Sequence, residues 1–130
     1  MNSIELTYES RKLTVRMRKE PSPQISELVR DAWSVAGHMT ASGQIPHGGM
    51  VGIYGAHPIA VAYVLSHALV HVASTIAVYY PQHRDGPRYV VCKSDDPDYP
   101  IGAEIDPDEF VSAERPAVLT WPEDAPRPLR

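Results

Sequence analysis

A chain of 130 residues, 43% of them hydrophobic, supports one domain around a single core and argues against two. The formal net charge is −4 with no block of like charges, which argues against a general DNA or RNA coat, since that would need a basic face. The single cysteine, Cys92, rules out an internal disulfide and fits a reducing setting, where it reads as a small buried strand residue.

The N-terminal residues alternate in period two. Ile4, Leu6 and Tyr8 oppose Glu5, Thr7 and Glu9, and Leu13, Val15 and Met17 oppose Thr14, Arg16 and Arg18. Two half-buried strands joined through Ser10-Arg11-Lys12 make a hairpin, with Glu on one outer face set against Arg on the other. Ser22 and Pro23 open a helix in which Ile25, Leu28, Val29, Ala32, Trp33 and Ala36 form one apolar face. Trp33 is expected inward and Gly37 is expected to stop the helix. A glycine-punctuated loop carrying His38 and His47 follows.

Met50 to Tyr54 reads as a short apolar strand and Gly55-Ala56-His57-Pro58 as the turn into a second helix over residues 59–73. That helix is apolar nearly all round and should be the most buried. A narrow polar stripe runs along it through Tyr63, Ser66, His67 and His71. The run is too short and too polar to span a bilayer, so no membrane partner is expected. Thr75 to Tyr80 reads as a strand parallel to the one before the helix, Arg88 to Lys93 as its antiparallel return, and Ile101 to Ile105 as a short edge strand. Asp106-Pro107 is placed to cap a short helix through Phe110 and Val111. The fold class is therefore α/β: an N-terminal β-hairpin, a βαβ core and a C-terminal antiparallel hairpin, with helices packed on the sheet. Residues 1–106 form the domain and 107–130 a proline-rich extension.

Three groups could carry chemistry. The Gly55–Pro58 turn offers backbone N–H groups and a helix dipole to an anion, without the lysine of a Walker loop. His67 and His71, four apart, suit acid–base work or a shared metal, although position 68 is Ala and no HExxH motif exists. The ends of the last strands carry Tyr79, Tyr80, Gln82, His83, Lys93, Asp95 and Asp96, expected to share one rim with Gly55.

The order of these motifs resembles the third CRISPR-associated ring nuclease family, the small one-domain proteins of type III systems. The residues that carry the likeness are a charged hairpin, the Gly55-x-x-Pro58 turn, SHALVH with its paired histidines, AVYYP, YVVCKSDD and IGAEID. The likeness covers roughly residues 3 to 106. It implies a CARF-like, Rossmann-like core that dimerises, two dimers around one cyclic tetra-adenylate, cleavage of that ring, and a manganese requirement. Ala56 stands where the family has a basic residue, Tyr80 where it has an aspartate, Gln82 where it has an arginine and Asp95 where it has a histidine.

The resemblance thus assigns catalysis to His67, His71 and Asp95, and ligand binding to Gly55, Ala56, His57, Pro58, Tyr80, Gln82 and Lys93. Its metal ligands stay open, with Mn²⁺ the implied ion. The expected partners are cyclic tetra-adenylate and a second copy of the chain, as a dimer or as a tetramer around the ligand, with no DNA. The expected location is the cytoplasm. Two alternatives stand beside ring cleavage: a non-catalytic cyclic oligoadenylate sponge or sensor, and a Mn-dependent RNA hydrolase.

Overall fold

The computed structural model describes residues 3–82 and 84–108. Six strands form one mixed sheet in the order of the chain: β1 (Ile4–Glu9), β2 (Lys12–Met17), β3 (Met50–Tyr54), β4 (Thr75–Tyr80), β5 (Arg88–Ser94) and β6 (Glu104–Ile105). β2, β3 and β4 run parallel, and the outer neighbours pair antiparallel. Helices α1 (Ile25–Ala41) and α2 (Ile59–Leu69) supply the two crossovers. Both pack into the same core with Leu13, Val15, Val51, Ile53 and Ile76, so both lie on one face of the sheet. Because the strand order never reverses, the sheet has no switch point at which a doubly wound sheet opens a crevice.

The hairpin forms as its pattern predicts, with a link shorter than Ser10-Arg11-Lys12, since Lys12 already belongs to β2. Ser10 and Arg11 both have positive φ, 54° and 65°, as a two-residue turn matched to strand twist requires. The register sets Glu5 opposite Arg16 and Glu9 opposite Lys12. α1 departs from expectation at both ends. Its N-cap is Gln24, and it runs through Gly37 to Ala41. The inward stripe is Leu28, Ala32, Ala36 and Met39, and Met39 lies beyond the glycine. Gly37 is tolerated because burial of that stripe outweighs its propensity cost of about 1 kcal/mol.

With small Ala32 and Ala36 against the sheet, Trp33 lies about 100° round the helix and is 49% exposed. The inward placement of Trp33 is thus corrected. The same correction applies to α2, which buries only Val61, Leu65 and Leu69. Its outer side carries Ile59, Tyr63 and His67 as an exposed i, i+4, i+8 ridge, touched by α1 where Trp33 meets His67. His71 lies past the helix end, so the two histidines do not share a continuous helical face.

A register shift in the β4–β5 ladder pairs Ala77 with Val91 and Ile76 with Lys93, leaving Cys92 as the extra residue. Cys92 is therefore exposed, not buried. The far side of the sheet holds a second cluster of Met50, Ala77, Tyr89, Val91 and Ile105, with Tyr54, Tyr79 and Tyr99 against it. Asp108 N–H donates to Asp106 Oδ1 at 2.9 Å, the start of the expected cap. His83, the helix through Phe110 and Val111, and most of the extension over 107–130 lie outside the described residues.

Candidate functional site

The chemistry-bearing residues fall into two groups at opposite edges of the sheet. The first sits where the parallel strands end. β3 finishes at Tyr54, and the chain turns through Gly55 at φ 119°. A Cβ at Gly55 would lie 2.6 Å from the Val15 carbonyl oxygen, so the turn is pressed against the backbone of β2 and only glycine fits. Pro58 is the N-cap of α2, in extended conformation. The first turn of α2 has neither a side-chain cap nor an acidic residue; Val61 N–H donates to the Pro58 carbonyl at 3.0 Å, which leaves the Ile59 and Ala60 N–H groups to an outside acceptor.

His57 in this turn is partly buried, and its Nδ1 has no hydrogen-bond partner. Burial pushes its pKa below the usual histidine value, against the opposing pull of the Gly55 carbonyl. At neutral pH the ring is therefore uncharged and can donate one N–H. Tyr80, half exposed at the end of β4, and exposed Gln82 belong to this same edge.

The second group sits at the other edge. β5 is antiparallel to β4 and pairs Ser94 with Thr75, the first residue of β4. Lys93 and Asp95 are thereby carried to the start of β4, away from Tyr80. α2 also runs back across the sheet, which brings His67 in its last turn to the same edge. Five strand steps separate the edges by about 17 Å, and eight helical steps separate Ile59 from His67 by about 12 Å. The single rim expected to unite Gly55, Tyr80, Lys93 and Asp95 is corrected by the direction of β5.

At this second edge an open cavity of about 190 Å³ is lined by Tyr63, Ser66, His67, Val70 and Lys93. The His67 ring stacks on Trp33, with centroids 5.2 Å apart and planes 21° from parallel. Sequence patterning does not reveal this aromatic pair; Trp33 eight residues after Ile25 is the available signal. Lys93 does not present a free charge. Its Nζ donates to the Ala73 carbonyl, to the Ser74 carbonyl at 3.5 Å and to Asp95 Oδ2 at 2.8 Å. Three ammonium protons meet three acceptors, so Lys93 ties the turn after α2 to the end of β5.

Asp95 keeps 70% of its side-chain surface exposed and partners Lys93. Its own N–H donates to the Ser74 carbonyl at 2.7 Å. Among the described residues no three of His, Cys, Asp and Glu converge as a metal ion would require. The donor set of the described residues therefore does not fit Mn²⁺. No helix among the described residues is long and apolar enough to cross a membrane. No protein-family model, curated protein or solved structure matches the chain.

Proposed function

We propose that the chain binds a cyclic oligoadenylate, cyclic tetra-adenylate in the first instance, and opens it to a linear product, ending type III CRISPR signalling. The observation that carries this reading is the Gly55–Pro58 turn, an uncapped helix start held rigid against β2 with a neutral histidine inside it. Such a turn receives a phosphodiester through backbone N–H groups. The motif resemblance supplies the ring and the CARF-like core. Because about 12 Å of α2 separates Ile59 beside the turn from His67, one phosphate does not meet both in one chain, and this reading takes His67 from a second copy. Two dimers around one ring provide that arrangement.

In the chemistry, the ribose 2′-OH attacks the adjacent phosphorus in line. His67 removes the hydroxyl proton as O2′ bonds to phosphorus. The P–O5′ bond breaks, leaving a 2′,3′-cyclic phosphate, and the departing 5′ oxygen takes a proton from water. The N–H groups of the turn offset charge on the non-bridging oxygens. Lys93 takes no part while Asp95 and two carbonyls hold it.

The second reading, binding without cutting, rests on Tyr80 at the end of β4, where the resemblance places a carboxylate. Excess cyclic tetra-adenylate incubated with the protein and resolved by chromatography separates the two. Linear product that disappears in His67→Ala supports cleavage. Intact ring with retained binding supports the sponge or sensor. Absence of binding rejects both. Cleavage of linear RNA that EDTA abolishes would instead favour the hydrolase reading, for which one chain shows no metal-ligand cluster among its described residues.

A further inference from the structure

We infer that the cavity beside His67 is a nucleobase subsite, with Tyr63 and His67 among its walls and Trp33 stacked on the His67 ring; the inference rests on the oligoadenylate reading and deepens it. Tyr63 is 78% exposed and Trp33 49% exposed, an unusual outlay of aromatic surface on the outer side of two helices. Each can offer a ring face to a planar ligand.

The cavity's size and charge select the ligand. Its volume of about 190 Å³ is below the roughly 300–1,000 Å³ of sites for drug-sized ligands and suits a single base, with sugar and phosphate left outside the open mouth. Its one cation is already satisfied: the Lys93 ammonium donates to Ala73, Ser74 and Asp95. A phosphate gains little there, whereas a neutral base loses nothing. Val70 forms an apolar side, and Ser66 with His67 supplies polar atoms for a base edge. The two edges thus divide the ligand, with phosphate at the Gly55 turn and adenine beside His67. A base seated against Tyr63 carries its own ribose, and so its 2′-OH, towards the histidine assigned to deprotonate it.

The test compares dissociation constants for cyclic tetra-adenylate among wild type, Tyr63→Ala and Tyr63→Phe. Tyr63 is too exposed for its loss to unfold the chain, and circular dichroism checks this. Tyr63→Ala should bind roughly ten- to a hundredfold more weakly and Tyr63→Phe within about twofold of wild type. Equal binding by wild type and Tyr63→Ala overturns the subsite. So does a Tyr63→Ala defect confined to self-association in sedimentation, which would make the ridge a contact between copies. If wild type does not bind the ring, the oligoadenylate reading fails. Millimolar AMP added to isotope-labelled protein then decides the subsite alone. Shifts confined to Tyr63, Ser66, His67 and Trp33 support it, and their absence overturns it.

Discussion

Gly55→Ala tests the physical basis of the turn. The glycine sits at φ 119°, where a residue with a side chain carries strain of about 1–3 kcal/mol. The added Cβ would also meet the Val15 carbonyl oxygen at 2.6 Å. That atom belongs to the backbone of a strand paired on both sides, so relief requires β2 and the turn to separate, at a further cost of about 1–3 kcal/mol. The total of about 2–6 kcal/mol is a large share of the roughly 5–15 kcal/mol that holds a domain folded. In urea unfolding the midpoint should fall by about 1–3 M. Gly43→Ala is the internal comparison. Its φ is 82° and a Cβ added there would meet nothing within 4 Å, so only strain of about 1–2 kcal/mol applies. If the two variants lose equal stability, the contact with Val15 is not rigid, and the claim that β2 braces the turn is wrong.

Other consequences follow from single groups. Lys93→Met should cost about 1–3 kcal/mol in urea unfolding through its lost bonds to the Ala73 and Ser74 carbonyls, while Asp95→Asn, on the exposed side of the ion pair, should cost under about 1 kcal/mol. His57 has a folded pKa below the usual 6.5, so the unfolded chain binds more protons; stability is full above 6.5 and falls as the pH drops through the lower folded value. Thermal melts of His57→Phe should lack that component. The Ser3 backbone N–H, at 2.9 Å, and the Ser3 hydroxyl, at 2.7 Å, hold Asp31 below its usual 3.8, so its contribution is present above 3.8 and lost as acid titrates the folded carboxylate. Asp31→Asn should flatten the corresponding part of the acid limb in melts below pH 4.

The strands and their neighbours are legible in the sequence because strand patterning is local. The alternation of β1 and β2 fixes which side of each faces the core, and the opposed Glu and Arg fix the register. The helices are less legible, since an apolar residue does not announce which neighbour will cover it. Trp33 and Ile25 fit one helical face with Leu28, yet Ala32 and Ala36 win the close approach to the sheet. α2 is apolar all round, but one side is left mostly exposed, which no period reveals. The register shift that turns Cys92 outward depends on β4 and has no mark in β5 itself. The candidate site differs from its sequence expectation for a topological reason. Each residue group does stand at a strand end, but β5 reverses direction, and its end is the other edge of the sheet.

That division makes a sharper demand on catalysis than any single substitution. If the turn of one copy holds the phosphate and His67 of another removes the proton, the two defects are separable. Ala56→Glu, at an exposed position, places a negative charge in the turn without crowding the core. His67→Ala removes the base at the far edge. Each variant alone should be inactive. Mixed in equal amounts, they can form contacts pairing the intact turn of one with the intact His67 of the other. Random pairing of copies gives such contacts roughly a quarter of the time, and ring-opening activity should return to about that fraction. Product followed by chromatography at matched total protein measures it. A mixture as inactive as its components would mean that both groups must act from one chain, which the length of α2 between them opposes; the assignment of His67 would then have to be withdrawn.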